Sequence, residues 1–162
     1  MGHMGIMGLL VAALAPVLVV GLGRRDAGWE RWALPARIAG PGFVLLHDGL
    51  TVATALAPPP PLVAAGLDLL LLAGALLFWA PVLGQRFRLP DALRTVYLFT
   101  ALPLLDAAAV YLVITGDNAG GLTMITTMIP MGLIAVAVTW NWINREERRA
   151  VAAELVAERG IR

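Results

Sequence analysis

Met1, Met4 and Met7 stand at every third position at the head of this sequence, with His3 between the first two. Met124, Met128 and Met131 recur near its end at i, i+4 and i+7, the spacing of one helix face. Those are all six methionines, His47 is the only other histidine, and there is no cysteine. Thioether and imidazole are soft-to-borderline ligands that suit copper, above all Cu(I). Without cysteine, disulfides and thiolate metal sites are excluded. Methionine is also a flexible filler of gaps between helices, and taken alone Met124, Met128 and Met131 read as packing before ligands. His3 lies in a Gly-His-Met run like those left by cloning vectors, but the triplet spacing continues past it through Met7. Around these residues there is no nucleophile–base constellation and no glycine loop that would cradle a phosphate. The expectation is therefore a protein that is not an enzyme and takes no nucleic acid.

The elements that position these residues are apolar helices. The chain has 162 residues, 59% hydrophobic and 14% charged, where a soluble domain carries about a quarter charged residues. Its mean hydropathy is +0.80. Five apolar stretches fall near 4–22, 38–57, 62–84, 95–115 and 122–143. Each reaches the roughly 20 residues that a helix needs to cross a bilayer. The expected fold is an all-α integral membrane protein, a five-helix transmembrane bundle over residues 1–143. Residues 144–162 read as a charged helical tail in which Ala150, Val151, Leu155 and Val156 form a weak apolar stripe. "APPPPL" must break helices two and three apart, because proline removes a donor and restricts its predecessor. "GDNAGG" is a turn by composition. Pro16, Pro41, Pro103 and Pro130 lie inside spans, where membrane bundles tolerate kinks.

Charge supplies an orientation. All 12 basic residues are arginines, and they fall between spans one and two (Arg24, Arg25, Arg31, Arg37), between spans three and four (Arg86, Arg88, Arg94), and after span five (Arg145, Arg148, Arg149, Arg159, Arg162). The positive-inside rule then puts the N-terminus outside and the C-terminus in the cytoplasm, and an odd number of spans agrees. The five tryptophans, Trp29, Trp32, Trp79, Trp140 and Trp142, gather on or near the same inner boundary.

Depth follows from orientation. His3, Met4 and Met7 sit at the outer end of span one, and the methionines of span five begin in its outer half. His47 lies near mid-depth of span two, with Thr51 and Thr54 on its own side. Asp68 falls in the outer third of span three. Asp48, Asp68 and Asp106 lie within spans, with no arginine at their depth. A carboxylate at the bilayer centre costs roughly 2.5–3.5 kcal/mol even on lenient scales. Each acid must be protonated, bonded to a polar neighbour, bound to a cation or paired with another subunit. His47 and Asp48 point about 100° apart on a helix and are expected to face different neighbours.

"LLLLAGALLFWAPVLG" (69–84) resembles a segment of the bacterial cytochrome c oxidase assembly factors of the CtaG type, an apolar run ending in Phe-Trp-x-Pro-Val-Leu-Gly. "GDNAGGLTMITTMIPMGLIAVAVTWNWINREER" resembles that family's last span, and "HMGIMGLLVAALAPVLVVG" its His-Met-x-x-His helix. The resemblance implies a shortened, divergent member in a bacterial cytoplasmic membrane that delivers copper to an oxidase through ligands near the outer face. Carried over by position, His3 and Met4 match the start of the His-Met-x-x-His motif, and His47 matches a histidine of the span that follows. Met7 replaces the second histidine of the first motif, and the His-x-x-x-His pair before the Phe-Trp segment falls on Ala64 and Asp68. The implied metal set is His3, Met4, Met7, His47 and Asp68, with copper as the only cofactor. The chain has five spans where the family usually has seven, so a second expectation stands beside the first. It is a non-catalytic accessory subunit of a respiratory or other membrane complex, holding the fold without the metal, with lipid and other membrane subunits as its partners. Small-residue faces at Gly2, Gly5 and Gly8, at Ala64 and Gly66, and at Gly120 and Gly121 would admit close helix contacts.

Because the chain lacks cysteine, single cysteines report topology cleanly. An impermeant thiol reagent applied outside should label Thr115→Cys and leave Gln85→Cys unlabelled until the membrane is opened. External labelling at position 85 would overturn the orientation.

Overall fold

A computed structural model describes residues 2–25, 27–85 and 88–160. Met1, Arg86 and Arg162 lie outside the described residues, as do the side chains of His3, Arg25 and Arg159. The described chain is helical and without strands. The first span runs through α1 (Gly2–Leu9), a π-helical turn (Leu10–Leu14) and α2 (Ala15–Arg25). A 3-10 turn (Ala27–Trp32) leads to α3 (Ala36–Leu56), α4 (Pro61–Leu83), α5 (Asp91–Ile114) and α6 (Asn118–Gly160). Five helical stretches are long and apolar enough to cross a membrane, at the positions expected.

Local chemistry sets the helix ends. Pro35, Pro60 and Pro90 precede α3, α4 and α5 with φ of −54°, −57° and −52° and ψ of 139°, 151° and 149°. That extended conformation ends whatever comes before and leaves the next residue to start a helix. α5 ends in a Schellman turn: Asp117 N–H donates to Leu112 O at 2.9 Å and Gly116 N–H to Val113 O at 3.2 Å. Gly116 takes φ +104°, which a side chain would resist. Asp117 then caps α6, its Oδ1 accepting from Gly120 N–H at 2.9 Å. α6 continues unbroken through the boundary near 143 into the charged tail. At 1.5 Å per residue it is about 65 Å long, so one half projects beyond the bundle.

Each helix packs chiefly on two others, closing a ring in the order α1/α2, α4, α3, α5, α6 and back to α1. Glycines set two of these contacts. A Cβ on Gly8 would strike the Thr127 hydroxyl of α6, and one on Gly121 would lie 2.6 Å from the Ala109 carbonyl of α5. The Gly5/Gly8 and Gly121 faces are thus spent within the chain, while Gly66 has nothing within 4 Å.

The ring is locked at "FWAPVLG". Pro16 has no N–H and crowds the carbonyl four residues before it. The helix widens there, and Ala15 N–H donates five residues back to Leu10 O. Val11 O, its ordinary α-helical acceptor, accepts instead from the indole N–H of Trp79 at 2.8 Å. Trp79 is fully buried. Its neighbours are equally engaged: Phe78 O accepts from the Tyr97 hydroxyl at 3.1 Å, Pro81 O from Leu89 N–H at 2.8 Å and Val82 O from Arg94 at 3.5 Å. Gln85 N–H donates to Glu30 at 2.8 Å. Arg94 is itself buried and pairs with Asp91, whose other oxygen meets Arg145 of α6 at 2.8 Å.

The surface inverts that of a water-soluble protein. Leu45, Leu62, Ile114 and Val17 are largely exposed, whereas His47, Thr51 and Thr54 are buried. Trp79→Phe keeps the ring and strands the Val11 carbonyl, so it should cost about 1–3 kcal/mol in detergent unfolding. Gly121→Ala should cost a similar amount by overpacking against backbone. Gly132→Ala, with nothing within 4 Å, should be neutral or stabilising.

Candidate functional site

α3 presents Phe43, His47, Thr51 and Thr54 as one buried stripe. Their spacing of four, four and three keeps them on one helix face, as the sequence expectation for Thr51 and Thr54 required. Phe43 packs on His47 with ring centroids 5.9 Å apart, and continues through Phe78 at 5.0 Å to Trp79 at 5.6 Å. An aromatic wall therefore links the histidine to the locked segment.

His47 and Asp48 do not diverge as the helical angle suggested. His47 Nδ1 lies 3.0 Å from Asp48 Oδ1. The Cβ atoms point apart, but Nδ1 is the ring nitrogen nearest the backbone, and a short carboxylate can swing over the helix surface to meet it. An ionised carboxylate only accepts, so the pair places the imidazole proton on Nδ1. Nε2 is then left with its lone pair, facing the interior. It has no hydrogen-bond partner, nor has the buried Thr51 hydroxyl one turn further along. Buried polar atoms without partners are uncommon, and an ion or water supplied from outside the chain would satisfy both. Asp106 of α5 lies within Coulombic reach of both His47 and Asp48. Its place at this site went unread in the sequence. Depth counted from the two proline caps was the available signal, because α3 and α5 run parallel and the two residues fall within about a turn of each other.

The methionines gather elsewhere in the ring. Met4, Met7, Met124, Met128 and Met131 are all buried in one core cluster, at the seam where α1 packs on α6. Met4 and Met7 are thus brought to the span-five methionines, while His47 stands on α3, whose principal neighbours are α4 and α5. Asp68 is half-buried on the first half of α4. The side chain of His3 lies outside the described residues. Among the described residues, no three His, Asp or Glu side chains form a group able to hold a metal. Among the described residues, the soft donors are the five thioethers of Met4, Met7, Met124, Met128 and Met131 and the one imidazole of His47.

Set against protein-family models, curated proteins and solved structures, the chain matches none.

The His47 arrangement is directly measurable. Nitrogen chemical shifts of the imidazole should report the Nδ1–H tautomer in the native protein and a shift toward Nε2–H in Asp48→Ala. An Nε2–H tautomer in the native protein would mean that the pair does not orient the ring.

Proposed function

We propose that this chain is a multi-pass protein of the bacterial cytoplasmic membrane, N-terminus outside, that handles copper within its outer half. The observation that carries the reading is the buried Nε2 of His47, whose lone pair meets no donor while Nδ1 is engaged by Asp48. A carboxylate behind an imidazole orients the ring and raises its basicity as a ligand. The buried thioethers of Met4, Met7, Met124, Met128 and Met131 supply the soft donors that hold Cu(I) in preference to harder cations. His3 and Asp68 remain candidates from the resemblance to oxidase assembly factors. Copper in this reading is cargo, taken at the outer face and passed to a partner such as an oxidase.

A second reading has its own observation in favour. The segment that most resembles the assembly factors, Phe78 to Gly84, spends its indole and several of its carbonyls on closing the bundle. Likeness there speaks for an inherited scaffold, and an accessory subunit needs no more. The two readings part on metal content. The copper reading expects about one Cu(I) per chain in detergent-purified protein, and at least tenfold weaker binding in His47→Ala and in Met7→Ala, each checked for retained helicity. Protein that takes up no Cu(I) yet co-purifies with a stoichiometric subunit would favour the scaffold.

A further inference from the structure

A groove of about 560 Å³ opens on the outside of the ring between α3 and α5. Its floor is Gly40, Tyr97 and Ala101, and its rims carry Leu93, Val96 and Leu45. Gly40 makes the floor possible. A Cβ there would lie 2.8 Å from the Tyr97 ring, which crosses over Gly40 to donate its hydroxyl to Phe78 O. With that hydroxyl engaged inward, what the groove offers outward is hydrocarbon. From Ala36 to Leu45 on α3, and from Leu93 to Leu104 on α5, it runs roughly 14–17 Å at 1.5 Å per residue. That is close to half of a hydrocarbon core of about 30 Å, the depth of a single leaflet.

The two ends differ in charge. Arg37 lines the groove at the end where α3 and α5 begin, the boundary that carries the arginines. Among the described residues no carboxylate pairs with it. The lining is almost wholly hydrocarbon with one guanidinium at the arginine end, which matches an acyl chain below an anionic headgroup.

We propose that this groove is a specific site for an anionic phospholipid, one acyl chain lying along α3 and α5 and its phosphate on Arg37. The inference rests on the membrane reading and is independent of copper. A chain tied across α3 and α5 buttresses the pair of helices that carry His47 and Asp106.

Native mass spectrometry of the detergent-purified full chain tests it, with dioleoyl phosphatidylglycerol and dioleoyl phosphatidylcholine as probes. One phosphatidylglycerol per chain should be retained in preference to phosphatidylcholine. Arg37→Gln should weaken phosphatidylglycerol about fivefold, the effect of one arginine near an anionic headgroup. Thr100→Trp, on an exposed groove position, should abolish retention by filling the groove, and Val96→Trp provides the same test should the first variant fold poorly. Equal retention of the two lipids, retention untouched by the tryptophans, or no retained lipid would each overturn the proposal. Inorganic phosphate at millimolar concentration should not displace the lipid, and displacement would make the site one for a free anion. Carbonate-resistant pelleting with membranes is scored first. A chain that fails it refutes the membrane reading itself, whereas one that pellets but holds no lipid refutes only the groove.

Discussion

The hydrogen bond from the Trp79 indole to the Val11 carbonyl is the constraint on which closure of the ring depends. It begins with a missing proton. Pro16 offers no N–H, the turn before it widens to five-residue hydrogen bonds, and one carbonyl loses its donor within its own helix. In an apolar interior that carbonyl has no water to turn to, so α4 must bring a donor to it or the first span cannot pack where it does. Indole suits this task because it joins a large apolar ring to a single N–H. The contact fixes the height of α4 against α1/α2. The bonds from Tyr97, Leu89 and Arg94 to Phe78, Pro81 and Val82 then fix α5 and the loop before it against α4. A π-turn, a proline and a tryptophan thus act as one device with parts on two helices.

Much of the fold was legible in the sequence because its causes are local. Five long apolar runs, proline caps and an acidic, glycine-rich turn each announce themselves within a few residues, and the helices begin and end close to where those signals put them. The order of helices around the ring was not legible, because all five are mostly apolar and even the polar face of α3 does not name its neighbour. The small-residue faces do admit close helix contacts: Gly5 and Gly8 seat α1 on α6, and Gly121 seats α6 on α5. Such a face says that something comes close, not whether it belongs to the same chain.

The polar interior was half legible. His47, Thr51 and Thr54 share a face by spacing alone, and they are buried together. The His47–Asp48 pair contradicts a rule that treats side chains as spokes. Spokes one residue apart do diverge, but an imidazole and a carboxylate are long and jointed enough to bend back over the backbone when the surroundings offer them nothing better. Arg94 teaches the same lesson at the arginine boundary. It stands among the arginines between spans three and four, yet it is buried against Asp91 and the end of α4, and Asp91 carries the connection on to Arg145. The charges there do more than mark a side of the membrane, since they tie the projecting half of α6 to the start of α5.

The separation of imidazole from thioethers bears on what the interior can do. Around the ring, α3 stands across from the α1–α6 seam, so His47 and the methionines are carried on opposite sides of one interior. A tightly caged metal needs its donors converged and its second shell set. Donors distributed over facing helices suit an ion held by few ligands at a time and given up readily, as a carrier requires, and they suit equally a scaffold in which methionine packs and histidine bonds to water. What separates these is the Nε2 of His47. A buried histidine held by its own carboxylate leaves Nε2 without a partner, and such an unmet polar atom is costly in an apolar interior. That cost, with the Thr51 hydroxyl one turn away also unmet and Asp106 within Coulombic reach, is the reason to look for an occupant between α3 and α5 before treating the bundle as inert.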